Sequence, residues 1–144
     1  MIIDAIKESW SWTNQIPKRI IDINDFGNII FLSEEGWICR ICPEELEFSV
    51  ISSDLTEYEI LKKDKDFVED WEMKTLVDFS KDYLGELKEE EKFCLKLAGV
   101  LGGKYEAENL GKISFLELIS FSGDLARQIK DLPDGAKFEL KVED

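Results

Sequence analysis

The chain has 144 residues, a formal net charge of −14 and no histidine. Its length fits one domain, and a 44% apolar fraction that includes nine Phe, four Trp and three Tyr excludes a disordered chain. The charge excludes nucleic acid as a plain electrostatic ligand and disfavours anionic membrane surfaces. It favours a basic protein partner, although acidity also serves solubility alone.

The start, Met1-Ile2-Ile3-Asp4, lacks the basic segment and apolar run of a signal peptide, and no stretch approaches the roughly 20 apolar residues that span a bilayer. A cytoplasmic protein is therefore expected. Residues 2–10 read as a short helix with Ile3, Ile6 and Trp10 on one side. Arg19 to Asn24 is apolar-rich, and Asp25-Phe26-Gly27-Asn28 is a turn signal. Residues 28–33 are apolar on both faces, which predicts a central strand. Glu34-Glu35-Gly36 turns the chain into a strand from Trp37 to Cys42, Pro43-Glu44-Glu45 interrupts it, and Leu46, Phe48 and Val50 alternate along another. Short strands joined by tight turns predict a meander.

Asp54 and Glu57 have the form of a capping box, with Leu55, Tyr58 and Leu61 on one helical face. A longer helix is expected from about Asp66 to Gly85, with a main stripe of Val68, Trp71, Thr75, Leu76, Phe79 and Tyr83. Met73 and Val77 lie on its other side, which points to a helix sandwiched inside the domain or, alternatively, to a sticky acidic surface. Phe93, Leu95 and Leu97 alternate as a half-buried strand, and Gly99 to Lys104 is a loop. Ser114 and Glu117 form a second capping-box signature ahead of the most apolar helix, Phe115 to Ile129. Gly123 within it predicts close packing against a strand. Pro133-Asp134-Gly135 reads as a turn into a last strand with Ala136, Phe138, Leu140 and Val142 inward. The fold class is α+β, a mostly antiparallel sheet with about four helices packed on it, in a single domain over 1–144.

The residues offer no catalytic arrangement of a common type. Without histidine there is no Ser-His-Asp or Cys-His centre. Cys39 and Cys42 form a C-x-x-C, but no second pair exists, and a three-residue offset on a strand sends the thiols to opposite faces. With Cys94 they read as structural thiols, without disulfide, metal or cofactor. Gly102-Gly103-Lys104 is followed by Tyr105 rather than Ser or Thr, so the loop is not a P-loop. No carboxylate pair stands out as a general acid and base. The expectation is a binding module, not an enzyme. Between Asp54 and Glu72 there are eight acids and three lysines interleaved with Tyr58, Phe67 and Trp71, a pattern suited to a basic cleft.

Several runs are familiar as a set: Trp10-Ser11-Trp12, Asn24 to Asn28, Trp37 to Leu46, Asp70-Trp71, Gly99 to Tyr105, Ile119 to Asp124, and Ile129 to Gly135. Together they resemble a bacterial domain family, formerly described only as a domain of unknown function, that takes its name from the C-terminal domain of type VI secretion system DNase-immunity proteins. The resemblance spans nearly the whole chain. It implies a bacterial cytoplasmic protein that neutralises a secreted effector by binding it, and it brings no catalytic or ligand residue with it. Members often carry an additional N-terminal domain.

On this reading the candidate partner-binding residues are Glu44, Glu45, Asp66, Asp70 and Trp71, with Tyr105 and Asn109 near the glycine loop, and the partner is a basic protein toxin. The competing reading is a small-molecule-sensing domain with a pocket at Trp12, Asn24, Arg40 and Tyr105. Arg40 is one of three arginines and sits in an otherwise apolar strand, where it meets either a bound carboxylate or an internal acid.

Overall fold

The run that is apolar on both faces becomes an inner strand. In the computed structural model, which describes residues 1–131, β2 (Ile29–Ser33) lies between β1 (Pro17–Ile23) and β3 (Ile38–Cys42). With β4 (Glu47–Ser52) they form a four-stranded antiparallel meander in chain order. Alternation divides the side chains between two cores. On one face Ile29, Phe31, Cys39 and Ile41 pack with Ile6 of α1 (Ile2–Ser9), Trp10 just beyond it, and Phe115, Ile119 and Leu125 of α5 (Phe115–Ile129). On the other face Ile30 and Ile38 meet Tyr58 of α2 (Leu55–Leu61) and Trp71 of α3 (Lys65–Glu72). Each such apolar side chain stabilises the fold by about 1.5–3 kcal/mol when fully buried.

The expected 66–85 helix is two helices. Met73 adopts a left-handed conformation, φ 50°, and separates α3 from α4 (Lys74–Leu84). A non-glycine residue there costs about 1–2 kcal/mol. The break has a packing reason: Trp71 is committed to the sheet, whereas Val77 and Leu76 are committed to a third core with Phe26, Phe93, Leu95 and Leu110. The break leaves Val77 buried and half-buries Met73, while Phe79 and Tyr83, expected on the main apolar stripe, are exposed at 46% and 54%.

The third core lies under β5 (Glu91–Leu95) and β6 (Leu110–Ser114), a separate antiparallel pair. The sequence pattern marks only the first of these strands. The described residues thus contain five α-helices and two antiparallel sheets, an α+β fold. The expected Pro133 turn and the strand after it lie outside the described residues.

The helix starts differ in kind. Asp54 accepts a hydrogen bond from the Glu57 amide at 2.8 Å, so half of the expected box forms; the Glu57 carboxylate instead accepts from the Ser53 hydroxyl at 2.6 Å. Ser114 makes no side-chain cap. The Phe115 amide donates to the Glu90 carbonyl at 2.7 Å, so the hairpin satisfies a donor that a cap would otherwise take. Gly123 does serve close packing, but against α1 rather than a strand: a Cβ at 123 would stand 2.6 Å from Ser9 Cβ and from the Ser9 carbonyl oxygen. The Trp10 and Trp12 indoles fix the same contact, donating to the Ile119 and Gly123 carbonyls at 3.1 and 3.2 Å. No helix among the described residues is long and apolar enough to cross a membrane.

Candidate functional site

The sheet face that carries α3 also carries a mostly buried guanidinium. Arg40 projects from β3 on the same side as Ile38, and its side chain is 13% exposed. A guanidinium in that position requires acceptors in several directions. Its Nε and Nη2 donate to Asn28 Oδ1 at 3.2 and 2.9 Å, and Nη1 donates to Asp70 Oδ2 at 2.5 Å. The plane lies over the Trp71 ring, 5.2 Å from its centroid. Asn28, fully buried, turns its Nδ2 toward both oxygens of Glu44, at 2.9 and 2.8 Å. The Cys42 thiol donates to the same carboxylate at 3.1 Å. A continuous polar chain therefore runs from exposed Asp70 through Arg40 and the buried Asn28 and Glu44 to half-buried Cys42.

Local sequence explains the alignment. Asn24 Oδ1 accepts from the Phe26 and Asn28 amides, both at 3.0 Å, which shapes the turn before β2. Its Nδ2 donates to the Trp71 carbonyl at 2.9 Å, tying the end of α3 to that turn. Pro43 opens a single 3-10 turn, Pro43–Glu45, that sends Glu44 inward and Glu45 outward.

Glu44 is 5% exposed, and burial pushes its pKa up; the hydrogen bonds from Asn28 and Cys42 and the charge of Arg40 oppose the shift without cancelling it. Burial likewise raises the Cys42 thiol, reinforced by the charge of Glu44 beside it, and lifts Cys39 to about 11. These are protonated, unreactive thiols, and Cys39 faces the α1/α5 core while Cys42 faces Glu44. The cavity at Glu44, Pro43, Leu46 and Leu97 measures about 60 Å³, small beside the roughly 300–1,000 Å³ of small-molecule sites. Among the described residues no three His, Cys, Asp or Glu side chains are grouped to hold a metal ion.

The raised Glu44 value sets a pH dependence. A carboxyl that holds its proton more tightly in the folded chain contributes stability that is complete below its ordinary value, 4.5, and lost as pH rises through the folded value. Wild type should therefore gain stability relative to Glu44→Gln as pH falls from 7 toward 4.5, in paired urea melts. A difference that stays constant across that window would contradict the assignment.

The second group surrounds Tyr105. Its hydroxyl donates to Glu45 Oε1, and its ring is 48% exposed. The Glu45 carboxylate lies over Gly99, where a Cβ would come within 1.9 Å of Oε1, so a larger residue there would displace the carboxylate. Burial and the Glu45 contact push the Tyr105 hydroxyl well above its ordinary range, so it remains a neutral donor. Asn109 fixes the loop rather than facing outward: Nδ2 donates to the Leu97 and Lys104 carbonyls at 2.9 and 3.0 Å, and Oδ1 accepts from the Leu97 amide at 2.8 Å.

The candidate partner-binding residues thus divide. Asp66 is exposed on α3 one turn before Asp70, whose side chain is 69% exposed. Glu45 and Tyr105 form a second outward pair. Trp71, Glu44 and Asn109 hold these groups from beneath or behind. Of the four alternative pocket residues, Asn24 and Arg40 meet at Trp71, whereas Trp12 stacks on Trp10 with centroids 5.6 Å apart and Tyr105 lines a groove with Thr75 and Phe79. Asn28 and Cys42 went unmarked as site residues in the sequence. The one signal that leads to them is Arg40, a cation in an apolar strand, whose internal acid is Asp70.

The fold and this exterior define a domain that offers exposed acids and an aromatic ring on a fixed scaffold. A family model described as "T6SS immunity protein Tdi1, C-terminal" matches residues 52–126. The chain belongs to that family of type VI secretion immunity proteins. The matched segment runs from the end of β4 into α5 and contains Asp66, Asp70, Trp71, Tyr105 and Asn109; Glu44 and Glu45 precede it. None of the curated proteins matches the chain.

Proposed function

We propose that this chain is a non-catalytic immunity module that acts in the cytoplasm as a single domain. It neutralises a secreted DNase-type toxin by binding it and masking its basic cleft. The family match over residues 52–126 carries this reading. A DNase cleft must be basic to hold phosphates, and a partner with a net charge of −14 is its electrostatic complement. Asp66, Asp70, Glu45 and Tyr105 make the contacts. Trp71, Glu44 and Asn109 position them, Asp70 through Arg40 and Tyr105 through its loop.

The test uses the reading frame adjacent to this chain's gene as the candidate toxin. Co-expressed in a catalytically silenced form, it should co-purify with this chain. Affinity should fall about tenfold or more between 50 and 300 mM salt as the charged surfaces are screened. Failure to recover any complex at the lower salt concentration would sink the proposal.

A further inference from the structure

Phe79 and Tyr83 lie one turn apart on α4, both exposed, with ring planes 10° apart and centroids separated by 6.4 Å. Two stacked aromatic rings on a helix surface bury little of each other and leave their outer faces to solvent. Beside them an open groove of about 470 Å³ is lined by Thr75, Leu76, Phe79 and Tyr105. Its far wall is not a loose loop. Asn109 ties it at three points, and Glu45 holds the Tyr105 hydroxyl. The groove therefore exists before any partner arrives, which reduces the ordering cost of binding.

On α4 the charge left unpaired beside the groove is acidic. Helical spacing places Asp78 three residues from Thr75 and Asp82 three from Phe79, along one edge of the aromatic stripe. Asp78 is paired with Lys74 at 3.1 Å. Asp82 has no ion pair among the described residues, and the Glu45 carboxylate is engaged by the Tyr105 hydroxyl. Exposed ring faces beside an unpaired carboxylate match one side chain above others. Arginine lays a planar, weakly hydrated cation on an aromatic face and still directs N–H groups at a carboxylate; lysine, a compact and strongly hydrated charge, does this less well.

We infer that the groove between α4 and the Tyr105 loop receives arginine side chains of a basic protein partner. The rings of Phe79 and Tyr105 form the stacking surface in the groove, Tyr83 extends it along α4, and Asp82 supplies the counter-charge. This deepens the toxin-binding reading and rests on it for the partner's identity, but the chemistry of the groove is testable without the toxin.

The probe is a short uncharged-backbone peptide carrying two arginines, compared with its lysine twin, followed by NMR of the aromatic ring protons. The arginine peptide should shift the Phe79, Tyr83 and Tyr105 resonances and bind at least about threefold more tightly than the lysine peptide. The double variant F79A/Y83A should lose that preference. Both rings are about half exposed, so the variant retains the fold, and unchanged core methyl resonances verify this. D82N keeps the rings and should lower arginine affinity without removing the preference. Equal affinity for the two peptides, shifts confined to α3, or an undiminished preference in F79A/Y83A would each overturn the inference. A toxin that binds F79A/Y83A as tightly as wild type would overturn it too, while leaving the immunity reading intact.

Discussion

Replacing Arg40 with alanine should lower folding stability by about 3 kcal/mol. The substitution removes both donors from Asn28 Oδ1, uncovers the Trp71 ring, and takes away the cation that moderates the buried Glu44 carboxylate. An uncompensated buried acceptor is among the few single changes that cost this much. Arg40→Lys should recover less than half of the loss, because an ammonium cannot reach Asn28 and Asp70 while covering the indole. Asp70→Asn, by contrast, should cost under about 1 kcal/mol, since Asp70 is largely in solvent and an exposed pair is worth little. Urea midpoints with an unchanged denaturant slope would measure all three. Equal losses for Arg40→Ala and Asp70→Asn would mean that the surface pair, not the buried chain behind it, holds the site together.

Gly123→Ala should cost about 2 kcal/mol although it adds a better helix former. Alanine gains about 1 kcal/mol in helix propensity. Its methyl group, however, would stand 2.6 Å from Ser9 Cβ and the Ser9 carbonyl oxygen, and neither belongs to a flexible side chain that can swing away. The helix pair must separate, and that loosens the core that Ile6, Trp10 and Ile119 form against the sheet. Loss of the Trp10 indole bond to Ile119 would accompany it, visible as a change in tryptophan fluorescence. A Gly123→Ala variant more stable than wild type would show that α1 and α5 are not constrained at this contact.

Much of the fold is legible in the residues, for a consistent reason: local patterns report on local cores. The two-faced apolar run of β2, the Asp54 cap and the helix from Phe115 each need only their own neighbourhood to be recognised. What was hidden depends on which core claims a residue. Trp71 and Val77 share one helical pattern, but they serve different cores, so the helix breaks at a methionine that carries no breaker signal. Strand β6 is hidden because Leu110-Gly111-Lys112-Ile113-Ser114 is short and gains its identity from pairing with β5. At the site the sequence marks the outward acids and the aromatics but not their depth. Glu44 and Glu45 are neighbours of one type, and only the 3-10 turn at Pro43 buries the first and leaves the second half-buried. Asn28 gives no signal at all beyond its place in a turn, yet it joins Arg40 to Glu44.

The immunity reading makes one strict demand: inhibition by occupancy. The direct measurement is a titration of the partner toxin's DNase activity with this chain at toxin concentrations far above the dissociation constant. Activity should fall in a straight line to zero at a fixed molar ratio. Toxin recovered from the denatured and refolded complex should be chemically unaltered and fully active. Complete inhibition by a small fraction of one equivalent, or recovery of a cleaved or modified toxin, would contradict it.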